Sequence, residues 1–145
     1  MVVHLIVKTS IKGKKRDGKV GYILALEKDG QINDLNTRRE IYKVENTTQA
    51  AAELQAICKA LERITMPVVL HIWTDNGYIF GSGSNHWVER WRENGWQRSG
   101  ELIKNIDEWR AFLEITESRN IDVKWHLKEA NPFNTYLEWE ISKDE

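Results

Sequence analysis

Asp75 sits where an α/β protein would place a reactive carboxylate. It follows Val68 to Trp73, a short continuous apolar run with the pattern of a strand buried on both faces. The carboxyl end of a parallel strand is where such sheets bind ligands. In Thr74-Asp75-Asn76-Gly77 the same carboxylate could instead close a turn or cap a helix, both ordinary uses of Asp. Glu53 is a second candidate. Around it Ala51, Leu54, Ile57, Cys58, Leu61 and Ile64 recur at helical spacing. At ~100° per residue Glu53 falls ~80° from the centre of that stripe, where it can look over a sheet or face solvent. Two basic sets suit phosphate. Arg90, Arg92, Arg98 and Lys104 interleave with Trp87, Trp91 and Trp96; cations neutralise phosphates, and aromatic faces pack sugars or bases. Glu89, Glu93 and Glu101 nearly cancel that charge, and Trp87 and Trp91, four apart, read mainly as packing. The second set, Lys12, Lys14, Lys15 and Arg16, crowds one turn.

These residues need a scaffold, and the periodicity supplies one. Val2 to Thr9 reads as a strand, Ile11 to Gly18 as a Lys/Gly-rich turn and Lys19 to Lys28 as the partner strand. Asp29-Gly30 signals a tight hairpin, with a third antiparallel strand over Gln31 to Val44. At Asn46-Thr47, either of which can cap, the period becomes helical until Pro67. After the strand Val68 to Trp73, helices are expected at His86 to Asn94, ended by Gly95, and at Asn105 to Glu117, with Ile106, Trp109, Phe112 and Leu113 inward. Trp96 to Lys104 reads as an irregular loop. A fifth strand covers Ile121 to Leu127, and a last short helix Phe133 to Ile141 follows Asn131-Pro132. The order β-β-β-α-β-α-α-β-α predicts an α/β fold. It is one mixed five-stranded sheet, three strands antiparallel and two added parallel, with helices on both faces.

Composition agrees with this frame. A chain of 145 residues, 41% hydrophobic and 30% charged, suits a single domain, 1–145. No run of ~20 apolar residues offers a membrane span. Cys58 stands alone, so an intrachain disulfide and a Cys-rich zinc site are excluded. Met1-Val2-Val3-His4 carries no basic stretch before a long apolar one, and a cytoplasmic protein, monomeric by default, is expected. A net charge of −1 argues against a wholly basic nucleic-acid binder. The charge is uneven, however. Lys8, Lys12, Lys14, Lys15, Arg16 and Lys19 face only Asp17, while Glu138, Glu140, Asp144 and Glu145 end the chain against Lys143.

Four local patterns, in order, resemble the type 1 ribonuclease H family. Ala52-Glu53-Leu54-Gln55-Ala56-Ile57, running on to Ala60-Leu61-Glu62, is similar to its first long helix, which carries a catalytic Glu. Trp73-Thr74-Asp75-Asn76-Gly77-Tyr78 resembles its strand end with the catalytic Asp. Trp87-x3-Trp91-x4-Trp96, with Lys104-Asn105-Ile106-Asp107-x-Trp109, looks like its handle. Val123-Lys124-Trp125 followed by Asn134-x3-Glu138 looks like its last strand and terminal acidic helix, with Glu for the family's Asp and Glu140 as a rival for that place. The resemblance implies a ribonuclease H-like fold and hydrolysis of the RNA strand of RNA–DNA hybrids. It implies Glu53, Asp75 and Glu138 as catalytic residues holding Mg²⁺ or Mn²⁺, since two hard cations ~3.5–4 Å apart need converging carboxylates. It also implies contacts to a hybrid or duplex RNA from the two basic sets and Asn76. Two features depart from the family. The first strand reads Leu5-Ile6-Val7-Lys8-Thr9-Ser10, and the position of the family's bridging Asp falls at Thr9 or Ser10. The family's mobile His falls at Ala130 or Asn131, while His126 reads as structural. Loss of the bridging carboxylate is expected to weaken one metal site. The alternative is a degenerate domain that binds nucleic acid or a protein partner without cleavage.

Overall fold

The computed structural model describes residues 1–127, apart from the side chains of 32–35. The expected terminal helix, with Asn134 and Glu138, and the loop at Ala130 and Asn131 lie outside the described residues. Strands β1 (Val2–Thr9), β2 (Arg16–Lys28) and β3 (Gln31–Thr47) form the antiparallel meander. Asp29 and Gly30 both take positive φ, 53° and 77°, and close the β2–β3 hairpin with Lys28 opposite Gln31. Helix α1 (Gln49–Leu61) leads to β4 (Val69–Thr74), which pairs parallel to β1, Ile6 lying level with Trp73. Then come α2 (Gly77–Ser84), α3 (Trp87–Glu93), the short strands β5 (Gln97–Arg98) and β6 (Glu101–Leu102), α4 (Ile106–Ser118) and β7 (Asp122–Leu127). The main sheet runs β3-β2-β1-β4-β7.

The five-stranded sheet is the one expected; three details differ. The third strand runs three residues past Val44, so the helix is capped by Thr48, whose side chain accepts from the Ala51 N–H, and not by Asn46 or Thr47. Gly77–Ser84 forms a helix that hydropathy did not announce. Asn76 caps it, and three glycines and two serines leave it no apolar stripe. Trp96 to Lys104 contains a two-stranded hairpin, β5–β6, turning on Ser99 and Gly100, both at positive φ.

One face of the sheet holds the main core. Leu5, Val7, Tyr22, Leu70 and Ile72 pack with Leu54, Ile57 and Leu61 of α1 and with Trp109, Phe112 and Leu113 of α4. At its far end α1 is tied to α4 by Arg119, whose guanidinium donates to the carbonyls of Leu61, Glu62 and Ile64 at 3.1, 3.1 and 2.8 Å. The α2 backbone sits close on β7, leaving no room for a Cβ at Gly83 beside the Trp125 indole. The opposite face carries Ile6, Ile23 and Ala25, with Trp73 beside them. There a ladder of rings, His4, His71, Trp73 and His126, crosses β1, β4 and β7.

Candidate active site and nucleic-acid surface

The parallel pairing of β1 with β4 brings two strand ends to one point. Two residues beyond the Ile6–Trp73 pair, on the same face, stand Lys8 and Asp75. They form an ion pair, with the Lys8 side chain 10% exposed and that of Asp75 41%. The first turns of α1 lean over this end, where Oε1 of Glu53 accepts from the Thr74 hydroxyl at 3.0 Å. The Thr74 oxygen in turn accepts from the Asn76 N–H at 3.0 Å, and Asn76 Oδ1 from the Ile79 N–H at 3.0 Å. A single hydrogen-bonded chain thus runs from α1 through the end of β4 into α2.

Glu53 is not at the rim of its helix. It is 1% exposed, in the middle of a buried face that includes Ala52, Ala56 and Ala60. Alanine is weakly hydrophobic, so the helical wheel drawn from the larger residues was centred too far from it. Oε2 of Glu53 is buried with no hydrogen-bond partner. Burial pushes the carboxyl up to about 7, against the Thr74 hydrogen bond; the charge of Asp75 raises it further, and that of Lys8 lowers it.

The β1 residue level with Asp75 is Lys8, not Thr9 or Ser10. The Thr9 hydroxyl donates to the Lys19 carbonyl at 2.6 Å and accepts from the Ile11 N–H, and Ser10 Oγ accepts from the Lys19 N–H at 3.0 Å. Both hydroxyls are therefore engaged in the β1–β2 connection. A Lys as buried as Lys8 is rare without a partner, and here the partner is the carboxylate that a cation would need.

Among the described residues, the donors at this strand end do not make a site for a pair of divalent cations. Among the described residues no group of three His, Cys, Asp or Glu side chains could hold a metal ion. Asp75 is already neutralised, and each unit of positive charge brought to ~4 Å of the Lys8 ammonium costs about 4 kcal/mol at an effective dielectric of ~20.

The basic residues divide into three sorts. Lys15 from the first hairpin and Lys104 from the segment before α4 line one cavity of about 700 Å³, with Asn46, Thr47, Thr48, Tyr78 and Asn105. Arg90 and Arg98, with Trp87, Trp91 and Asn94, line a second cavity of about 550 Å³ between α3 and the β5–β6 hairpin. Trp87 is 41% exposed, so it is less a packing residue than its spacing suggested; Val88 is the buried residue of α3. Arg92, by contrast, forks onto Glu117 of α4 at 2.7 and 3.0 Å and holds two helices together. Lys12, Lys14 and Arg16 are exposed on the first hairpin and its approach. Asn76 commits its side-chain oxygen to the α2 cap. Asn46, Thr48 and Asn105 carry no signal in the sequence as cavity residues; these short polar side chains gain meaning only once hairpin and handle meet. Tyr78 joins these parts, accepting from Trp109 Nε1 at 3.0 Å and donating to the Lys104 carbonyl at 3.3 Å.

Acids gathered where two parallel strands end, in a β3-β2-β1-β4-β7 sheet, define a ribonuclease H-like α/β domain. The chain belongs to the RNase H family, whose sequence model it matches over residues 3–128. It is 31% identical over 102 residues to a ribonuclease H of Thermoanaerobacter sp. (strain X514), covering 69% of this chain and 64% of that protein. Over 78 residues it is 36% identical to the ribonuclease H of Caldicellulosiruptor saccharolyticus, covering 53% of this chain and 54% of the relative. The matched stretch is thus less than two thirds of either relative's length. LC9-RNase H1, a type 1 RNase H with the type 2 active-site motif, is similar in fold, with a TM-score of 0.71 and 20% identity over 98% of this chain and 71% of that one. A foamy viral protease-reverse transcriptase has a TM-score of 0.68 and 18% identity, covering 97% of this chain and 19% of that one. No helix among the described residues is long and apolar enough to cross a membrane.

Proposed function

We propose that this chain is a ribonuclease H-type domain that holds an RNA–DNA hybrid without cleaving it by a two-metal route. The observation that carries the binding reading is the meeting of Lys15 and Lys104, 89 positions apart, around one cavity that Thr48, Tyr78 and Asn105 also line. Two ammonium groups with hydroxyl and amide donors suit a backbone phosphate. The second cavity, with Trp87, Trp91, Arg90 and Arg98, offers rings for sugars or bases and cations for the next phosphates. The similar foamy viral protein has been solved with an RNA/DNA hybrid. What argues against cleavage is the Lys8–Asp75 pair.

The test is a gel shift with hybrid and with duplex RNA at two salt concentrations in EDTA, beside a cleavage assay in Mg²⁺ and in Mn²⁺. Binding in EDTA is expected, with Lys15→Ala and Lys104→Ala each reducing the salt slope by about one unit. Absence of hybrid binding at low salt overturns the reading. Metal-dependent cleavage that Asp75→Asn abolishes also overturns it. That result would restore the hydrolase, with Glu53, Asp75 and Glu138 as the carboxylates and Mg²⁺ or Mn²⁺ as cofactor.

A further inference from the structure

We propose that Lys8 is a resident counter-ion, an ammonium on a side-chain tether that fills the cation position of this site and makes the domain refractory to divalent metal. The inference deepens the binding reading, which leaves open why the acids persist without metal. Three observations meet in it. Continued two residues past the Ile6–Trp73 pair, the register of β1 on β4 brings Lys8 to Asp75, one residue beyond the end of β4. Lys8 is nearly enclosed and forms an ion pair with Asp75. Glu53, the other acid at this end, is fully enclosed and lies within the electrostatic reach of both.

Charge balance then follows. Glu53 is enclosed and Asp75 partly exposed, and without a cation at this strand end their charges would stand uncompensated. A lysine in β1 supplies that compensation permanently, whatever the divalent ion concentration. It also blocks the ion, since Asp75 cannot serve ammonium and metal together at full strength. An aspartate at position 8 would invert both properties, turning a filled site into one that folds best with a cation bound.

The test uses Mn²⁺ as the probe and needs no nucleic acid. Paramagnetic water-proton relaxation on the wild-type chain is expected to show no stoichiometric Mn²⁺ site, and millimolar Mn²⁺ or Mg²⁺ to leave its Tm unchanged. Lys8→Asp is expected to gain a saturable Mn²⁺ site and a Tm rise of several degrees at [Mn²⁺] ~100-fold above Kd, both lost in Lys8→Asp/Asp75→Asn. A stoichiometric wild-type Mn²⁺ site removed by Asp75→Asn overturns the proposal, as does a folded Lys8→Asp chain that binds no Mn²⁺. The wild-type measurement decides the matter even where Lys8→Asp does not fold. Because nothing here involves a hybrid, failure of nucleic-acid binding and failure of the counter-ion role are read separately.

Discussion

Replacing Glu53 by Gln should flatten the pH dependence of stability in a calculable way. The carboxyl is enclosed, and its pKa rises from an ordinary 4.5 to about 7, chiefly by desolvation. At ~1.36 kcal/mol for each pH unit of displacement, the native state favours the protonated form by about 3 kcal/mol. The native chain holds this proton more tightly than the unfolded one. The contribution is therefore fully present below pH 4.5 and is lost as pH rises through 7. The amide of Glu53→Gln keeps an oxygen for the Thr74 hydroxyl and cannot ionise. Its own packing and hydrogen-bond costs are the same at both ends of the pH range and cancel in the comparison. Urea unfolding followed by tryptophan fluorescence at pH 4.5 and pH 8 gives four free energies. On going to pH 8, the wild type should lose about 3 kcal/mol more than the variant. Histidine terms act in the same range but are common to both proteins and drop out. Equal losses in the two proteins would refute the reasoning, because Glu53 would then be ionised in the folded state at no cost.

Three further outcomes follow from the packing. Gly83→Ala drives a Cβ into the Trp125 indole, itself already packed on Phe112; α2 must shift, and a loss of about 1–3 kcal/mol is expected in chemical denaturation. Arg119→Ala removes three hydrogen bonds from the α1 C-terminus, and about 1–2 kcal/mol should go with them; an unchanged denaturation midpoint would show that water replaces the guanidinium fully. The ring ladder should loosen in acid. Nδ1 of His71 and Nε2 of His126 are 2.7 Å apart, one donating and the other accepting. Burial holds His71 below its ordinary 6.5, with the charges of His4 and His126 adding to the effect. Its contribution is thus present above pH 6.5 and lost as pH falls through the folded value. Amide exchange in β7, corrected for intrinsic rates, should quicken between pH 7.5 and 5.5 in the wild type and much less in His71→Gln.

The five strands of the main sheet and the helices α1, α3 and α4 could be read from the sequence because each has a strong period or a decisive punctuation mark. Asp29-Gly30 is the clearest case, since only the primed turn it favours closes the hairpin with Lys28 opposite Gln31. Helix α2 was not legible. Gly77 to Ser84 has poor helix formers and no apolar stripe, and its helix rests on the Asn76 cap and on close approach to Trp125. The basic residues were visible as types but not as partners. Nothing local distinguishes Arg92, locked onto Glu117, from Arg90, which lines an open cavity. Nor could any local pattern bring Lys15 to Lys104.

The sharpest case is the β1 strand end, where three consecutive residues competed for one position. Side chains alternate along a strand, so Lys8 and Ser10 share one face and Thr9 takes the other. Which of them stands level with Asp75 depends on how β1 is set against β4, a pairing between segments more than sixty residues apart. A slip of one residue would bring Thr9 level with Asp75 and turn it to that face, sending Lys8 to the helix side. Register therefore decides whether Asp75 meets a hydroxyl, which leaves its charge uncompensated and open to a metal ion, or an ammonium, which does neither. The observed pairing of Ile6 with Trp73 selects the ammonium. The electrostatic character of the site thus follows from sheet alignment as much as from the acids themselves.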